Sequence, residues 1–366
     1  MSALLTSPIL LLVVLWGASA LARRYLIGGG ESPVPSGGIV MAGGIFVIAA
    51  LGELPLPGLV ARLVVLELLV VWGYLAYSYV RAALAGDLAG DLAGSVRRPA
   101  DAFAVGTWVA GSAVLGRALV QELPGWQPVA LALWIVAAAL WLWYLSLLPA
   151  AFRDAADPSE GYRATGAVLL PVVGTQSLVV AGGALLPGGM PGILATALIL
   201  LGYLLYAGGL FLIARRYRRP GWSLADDWDN ANCILHGAMS ITGLAVVLSG
   251  ALPGALAVYT WIWVLVVFVL VEALEVLRAV SRTRAYGWGE GVLAYLPTQW
   301  SRNFTFGMFY AFSLQLQMSA IRVPLADGLP RAIVAYGQYV VLAFLLAEGA
   351  VFLVNRARSG PRTAKG

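Results

Sequence analysis

Polar side chains that could handle an ion interrupt a membrane-length apolar stretch of the sequence. Residues 169–182 read LLPVVGTQSLVVAG and place Thr175, Gln176 and Ser177 behind a proline and a glycine. In hydrocarbon, such groups are tolerated mainly where they face a protein interior or a water-filled path. Hydroxyl and amide groups can replace part of an anion's hydration shell without a fixed charge that would trap the ion. Hydrogen bonding between helices is the alternative role, and the residue types alone do not separate the two.

Similar interruptions recur in every second hydrophobic segment, whereas the segments between them are runs of Leu, Val, Ala and Trp such as LALWIVAAALWLWYLSLL. This alternation predicts that every second helix encloses a lumen. Glycines that only let helices pack closely are the alternative. The candidate lining residues are Gly174, Thr175, Gln176, Ser177, Ser240, Thr242, Thr305 and Gly307.

Charged residues offer two further kinds of chemistry. Arg117, Arg302 and Arg322 lie near the predicted ends of the glycine-rich segments. There they could concentrate anions at both pore mouths or simply extend to the membrane interface. His236 could sense pH or could be a buried hydrogen-bonding residue.

Four glutamates fall in the bulky segments: Glu67, Glu272, Glu275 and Glu348. We expect them to pair with arginines such as Arg278, because ionisable groups rarely face lipid unpaired. A proton-coupled carrier would also need a buried carboxylate.

Most metal and redox chemistry is excluded by the residue counts. The chain has one cysteine, Cys233, and one histidine, His236. It therefore has neither an intramolecular disulfide nor a two-histidine zinc helix. No nucleophile and base occur at a workable spacing. We expect no metal, no cofactor and no enzymatic activity.

The composition is that of an integral membrane protein. Apolar residues make up 60% of the chain and charged residues 11%, against about 25% charged in soluble domains. The net charge of +5 resides in short loops between apolar segments, which argues against a nucleic-acid partner and for a lipid bilayer.

Runs long enough to span a bilayer predict an all-α membrane fold with a ten-helix core and one extra N-terminal helix. Residues 1–30 would hold the extra helix, residues 31–356 the core, and residues 357–366 a cytoplasmic tail. The extra segment has no positive residue before it and two arginines after it, which favours an uncleaved helix with its N-terminus outside. The predicted segments are 3–22, 36–54, 57–82, 101–121, 126–150, 163–187, 192–214, 230–252, 255–278, 301–323 and 331–354.

The distribution of basic residues predicts the orientation of these segments. Of the 23 lysines and arginines, only Arg62, Arg117, Arg322 and Arg331 fall on one set of connections. The remainder fall on the other set, and the two sets alternate through all ten core segments. By the positive-inside rule both ends of the core are cytoplasmic, and we expect the plasma membrane as the location.

Five stretches resemble one known family. VMAGGIFVIA, DAFAVGTWVAGSAVLG, VVGTQSLVV, HGAMSITGL and WSRNFTFGMFY occur in the order and on the segments where the tellurite-resistance/dicarboxylate transporter family has similar motifs. That family includes the plant slow-type anion channels. The resemblance covers roughly residues 36–355 and implies five helical hairpins around a central pore, assembled as a homotrimer. The chain departs from the family patterns at Ala113, His236 and Thr305.

The resemblance also implies a gate. Phe304 occupies the position of the phenylalanine that closes the pore of family members. A phenylalanine near Gly307 on a kinked inner helix could itself close a narrow lumen by hydrophobic contact. An ordinary core phenylalanine is the alternative, since the chain has 11 phenylalanines.

The predicted function is transmembrane transport of small anions, either chloride or nitrate-like ions or a C4-dicarboxylate, through this gated pore. A proton-coupled dicarboxylate carrier or a sulfite- or tellurite-related exporter is the second transport hypothesis. A non-transporting membrane scaffold or assembly factor is the hypothesis of another class. Bulky apolar side chains filling the lumen from all five glycine-rich segments would favour the scaffold.

Overall fold

The computed structural model describes residues 7–22, 34–84, 99–157, 163–321 and 328–359. Every regular element in these ranges is helical. The α-helices are α1 (Pro8–Ala22), α2 (Gly37–Ile45), α3 (Gly58–Leu84), α4 (Pro99–Glu122), α5 (Gln127–Ala156), α6 (Leu170–Leu185), α7 (Gly192–Tyr217), α8 (Ile234–Ser249), α9 (Gly254–Gly291), α10 (Trp300–Met318) and α11 (Gly328–Ser359).

Eight of these helices are long and apolar enough to cross a membrane, so the chain is a multi-pass membrane protein. They are α3 to α9 and α11. Helix α2 is short but continues as a π-helical turn, Phe46–Ala50, and a 3-10 turn, Leu51–Glu53. The all-helical prediction is confirmed for the described residues.

Two elements differ from the predicted segments. Pro171 does not interrupt a helix, because it lies in the first turn of α6, where its missing N–H costs no hydrogen bond. A 3-10 turn, Gly166–Leu169, precedes it. Helix α9 extends well beyond the predicted end at residue 278, and it bends at Gly287, where φ is 74°.

Burial alternates along the chain as the composition of the segments does. In the 18-residue apolar stretch of α6, and in that of α8, 89% of residues are buried, against 22% in the corresponding stretch of α5 and 11% in that of α11. Helices α2, α4 and α10 are also mostly buried. We call α2, α4, α6, α8 and α10 the inner helices, and α3, α5, α7, α9 and α11 the outer helices.

The inner helices contact one another in a closed order. Each contacts the next along the chain, α2 with α4, α4 with α6, α6 with α8 and α8 with α10, and α10 returns to contact α2. Each outer helix contacts two successive inner helices. For example, α5 contacts α4 and α6, while α11 contacts α10 and the π-helical end of α2.

Glycines set the close approach of neighbouring inner helices. A Cβ atom at Gly106 of α4 would lie 2.7 Å from the backbone oxygen of Leu170 in α6. A Cβ at Gly307 of α10 would lie 2.8 Å from the Ile45 side chain of α2. These glycines therefore lie at helix–helix contacts, as the packing alternative predicts.

Helix α1 packs on α3 through one polar and one aromatic contact. Ser19 Oγ donates to Glu67 Oε1 at 2.6 Å. The rings of Trp16 and Tyr74 stack with centroids 4.6 Å apart. Among the described residues, the partner of Glu67 is therefore the serine hydroxyl rather than an arginine.

Candidate functional site

The contacts of α10 determine which way Phe304 points. Thr305 packs against Gly237 of α8, and Gly307 packs against Ile45 of α2. An α-helix has 3.6 residues per turn, so successive side chains are about 100° apart. Phe304 falls between the directions of these two contacts. It therefore faces the side of α10 that is turned toward the other inner helices, and its side chain is fully buried.

The opposite face of α10 contacts outer helices. The ring of Phe306 lies against Phe344 of α11, with centroids 4.5 Å apart. Ser313 Oγ accepts a hydrogen bond of 2.9 Å from Trp261 Nε1 of α9. Phe306 and Ser313 thus pack outward against the outer helices, whereas Phe304 lies on the opposite face of α10 and points inward.

Arg117 also lies on an inner face. Trp108 of the same helix, α4, contacts Tyr79 of the outer helix α3. Arg117 follows Trp108 by nine residues, which is two and a half turns, so it points the opposite way. Ala110 and Ala113 lie on the same face as Arg117. Arg117 Nε is buried and has no hydrogen-bond partner among the described residues.

Among the three consecutive polar residues of α6, Thr175, Gln176 and Ser177, only Ser177 lies on the inner face. Thr175 Oγ1 accepts a hydrogen bond of 2.9 Å from Trp141 Nε1 of the outer helix α5. Gln176 Nε2 donates to the carbonyl oxygen of Leu198 in the outer helix α7 at 2.8 Å. Ser177, the next residue around the helix, therefore lies on the side away from both outer helices. These contacts assign Thr175 and Gln176 to helix packing.

The remaining candidate lining residues, Ser240, Thr242, Thr305 and Gly174, are all buried. Ser240 and Thr242 donate to the carbonyl oxygens one turn earlier in α8. Thr305 donates to the carbonyl oxygen of Arg302 and contacts Gly237. Gly174 lies against Val109 of α4, where an added Cβ would be 3.4 Å away.

A charged cluster connects the first turns of α8 and α10 with the middle of α9, on the predicted cytoplasmic side. Arg302 Nη2 lies 2.8 Å from Glu275 Oε1, and its Nη1 lies 3.7 Å from Glu272 Oε2. Arg278 Nη1 lies 3.3 Å from Glu275 Oε2. The predicted pairing of Glu272 and Glu275 with arginine is confirmed. The charge of Arg302 is compensated on the outer side of α10, so the geometry does not support its role at a pore mouth.

His236 belongs to the same charged cluster. Its Nε2 lies 3.5 Å from Glu272 Oε1, and its ring packs edge-on against Phe268 of α9. The side chain is fully buried. His236 thus connects α8 to the charged pairs of α9 and α10.

A cavity of about 220 Å³ adjoins the charged cluster and reaches α11. Glu275, Arg302, Asn303 and Glu348 are among the residues that line it. Several buried polar atoms of the cluster and cavity, including Asn303 Oδ1 and Glu348 Oε1, have no hydrogen-bond partner in the described part of the chain. Buried polar groups are normally hydrogen-bonded, so this charged cluster is a polar site beside a cavity rather than a fully satisfied packing contact.

Sequence reasoning missed this cavity. The only local signal is the spacing of Glu272, Glu275 and Arg278, which puts them on one helix face. Arg302, Asn303 and Glu348 join them only through tertiary packing.

One predicted mouth residue, Arg322, lies outside the described residues. Within those residues, no three His, Cys, Asp or Glu side chains group closely enough to hold a metal ion. No protein-family model matches the chain, and a search of curated proteins finds no significant match.

Proposed function

We propose that the chain transports small anions through the space enclosed by its inner helices, with Phe304 as the gate. The five inner and five outer helices would form five hairpins around this axis, with α1 as an additional helix. The family resemblance supports this architecture, the homotrimeric assembly and the plasma-membrane location. The orientation of Phe304 between the α8 and α2 contacts of α10 is the observation that carries the proposal.

The gate is hydrophobic. Met308 follows Phe304 by one turn on the same inner face, and both side chains are at most 1% exposed. An apolar constriction of this kind excludes water and ions until the side chains move. In this proposal the buried conformation of Phe304 is the closed state, and a change of the Phe304 rotamer opens the passage.

Selectivity for anions comes from a positive charge that forms no ion pair with the described residues, followed by neutral surfaces. Arg117 faces inward near the predicted outer end of α4 and raises the local concentration of anions. Ala113 and Ser177 line the path without a fixed charge, so an anion binds weakly enough to leave. The substrates are chloride or nitrate-like ions, or a C4-dicarboxylate.

Flux through proteoliposomes tests the gate. The wild-type protein should pass chloride, nitrate or a C4-dicarboxylate, and Phe304→Ala should pass the same anion faster. Phe306→Ala is the matched control, because Phe306 lies on the outward face of the same helix. The flux of this control should stay at the wild-type rate. Absence of flux from folded wild-type and Phe304→Ala protein would refute the proposal.

The charged cluster favours a second candidate, a proton-coupled dicarboxylate carrier or a sulfite- or tellurite-related exporter. Glu272 contacts both His236 and Arg302, so a proton bound at Glu272 would alter both contacts. Transport that requires a pH gradient and is lost in Glu272→Gln would select this candidate. Flux independent of the gradient would select passive permeation.

A scaffold that does not transport is the remaining hypothesis. Bulky apolar side chains on the inner faces of all five inner helices would support it. Phe304 and Met308 are bulky, but the inner face of α4 carries Ala110 and Ala113, and that of α6 carries Ser177. We therefore retain transport as the proposal.

A further inference from the structure

A second cavity, separate from the inner helices and from the charged cluster, lies where α5 and α7 end on the predicted cytoplasmic side. Its volume is about 260 Å³. The residues lining it come from the end of α5, residues 163–164, the end of α7 and the turn after α7. The charged ones are Asp157, Arg163, Arg215, Arg216, Arg219 and Asp227.

The lining carries an excess of positive charge. Four arginines face two aspartates, and Asp227 is already paired with Arg163 and lies 4.0 Å from Arg216. The Arg219 side chain is exposed and forms no ion pair within the described ranges. The cavity therefore has guanidinium groups available for an anion.

Two of the arginines are held in place before any ligand binds. Arg215 Nη2 donates to the carbonyl oxygen of Ala156 at 2.8 Å. Arg216 Nη1 donates to the carbonyl oxygen of Ala164 at 2.9 Å. Because a guanidinium has five N–H groups, each arginine retains donors beyond these contacts. Pre-positioned guanidinium groups cost less ordering entropy when an anion binds.

The cavity also lies at the level expected for lipid headgroups. The membrane-spanning helices α5 and α7 end at Ala156, which lines the cavity, and at Tyr217, which contacts the lining residue Trp222. Trp222 lines the cavity, is 39% exposed and packs edge-on against Tyr217. Tryptophan and tyrosine are enriched at membrane interfaces.

We propose that this cavity binds a phosphate group. Arginine matches the geometry of phosphate oxygens through paired N–H donors, and basic pockets between membrane helices on the cytoplasmic side suit phosphorylated headgroups. The phosphate belongs either to an anionic lipid or to a soluble phosphate compound. Both sources present the same chemistry to the four arginines.

Binding to the full-length protein in nanodiscs or detergent tests the site. One arm compares phosphatidylglycerol with phosphatidylcholine, and a second arm adds inorganic phosphate or glycerol 3-phosphate without anionic lipid. Lipid retention is read by native mass spectrometry and soluble-ligand affinity by calorimetry. Arg219→Ala should weaken binding about fivefold, the equivalent of ~1 kcal/mol for one arginine near an anionic surface.

Arg218→Ala is the matched control, because Arg218 is the adjacent exposed arginine but does not line the cavity. This variant should bind within twofold of wild type. Equal losses from both variants would show diffuse charge attraction and overturn the proposal. Binding in the lipid arm alone identifies a headgroup, and binding in the soluble arm identifies a free phosphate compound. Binding in neither arm also overturns it.

Discussion

The two faces of the inner helix α10 have opposite chemistry. Its outward face carries Arg302, Phe306 and Ser313, which form ion pairs, ring contacts and hydrogen bonds with α9 and α11. Its inward face carries Phe304 and Met308, which are buried and apolar. The polar groups on the outward face of α10 thus join this inner helix to outer ones.

Helix α6 gives the same result with different residues. Thr175 and Gln176 bond to α5 and α7, and Ser177 alone faces inward. Two of the three polar residues in this stretch of α6 therefore bond to groups of neighbouring helices. A polar residue in a membrane helix does not by itself indicate a water-filled path. The difference between the two faces can be tested at single positions.

The largest effect should come from the outward charge of α10. Arg302→Ala would leave the buried Glu275, and Glu272, which is 19% exposed, without their shared partner. Removing one member of a buried ion pair costs about 3–5 kcal/mol. We expect Arg302→Ala to lower the free energy of unfolding by this amount, measured by denaturant unfolding in mild detergent.

Arg117→Ala is the stability control for Arg302→Ala. Arg117 is the inward-facing arginine of α4 and has no ion pair in the described part of the chain, so its removal should change unfolding far less. Equal destabilisation by the two variants would contradict the difference between the two faces.

The next largest effect tests the contact between inner helices. Gly106→Ala would place a methyl group 2.7 Å from the backbone oxygen of Leu170, which cannot move aside as a side chain can. Overpacking of this kind costs about 1–3 kcal/mol. Gly208→Ala on the outer helix α7 is the control, because a Cβ there meets no atom within 4 Å. Thermal unfolding should separate the variants, and similar melting temperatures would count against close packing of α4 on α6.

A smaller effect on stability distinguishes adjacent residues of α6. Gln176→Leu removes one interhelical hydrogen bond, worth about 0.6 kcal/mol on average in a membrane protein, and should leave anion flux unchanged. Ser177→Val narrows the inner face and should reduce flux while its melting temperature stays close to that of wild type. Reduced flux in Gln176→Leu with normal flux in Ser177→Val would reverse the assignment of the two faces.

The all-helical fold and the alternation of buried and exposed helices could be predicted from the sequence, because both follow from the residue composition of successive segments. Glycine and hydroxyl residues concentrate in every second segment, and those segments are the buried ones. The direction of a single side chain could not be predicted. Gln176 points to Leu198 only because α7 packs on that side of α6.

Only the part of the charged cluster that lies on α9 could be predicted from the sequence. Glu272, Glu275 and Arg278 are spaced to share a face of α9, and that spacing is visible in the sequence. Their contacts with Arg302 and His236 depend on how α8, α9 and α10 meet, which no local pattern encodes. The pairing of Glu67 with Ser19 likewise depends on where α1 packs.

The smallest effect lies outside the membrane, in the turn before α8. Asp226 accepts hydrogen bonds from Tyr286 Oη at 2.5 Å and from Ser223 Oγ at 2.9 Å. These bonds, with that from Tyr286 the stronger cause, lower the pKa of Asp226 from its usual value of 3.8. A carboxylate with a lowered pKa in the folded state stabilises that state at neutral pH, and the stabilisation is lost as pH falls through the lowered pKa.

Tyr286→Phe should therefore reduce the free energy of unfolding slightly at pH 7, with the difference from wild type shrinking as the pH falls below 3.8. Denaturant unfolding at a series of pH values measures this difference. Tyr259→Phe is the control, because Tyr259 is 71% exposed on an outer helix and should show no pH-dependent difference. Asp226 is fully exposed, so solvent screens its interactions and the effect ranks below every change in the buried helices. A difference that grew toward acid pH would mean that Tyr286 stabilises the protonated carboxyl, which is the opposite sign.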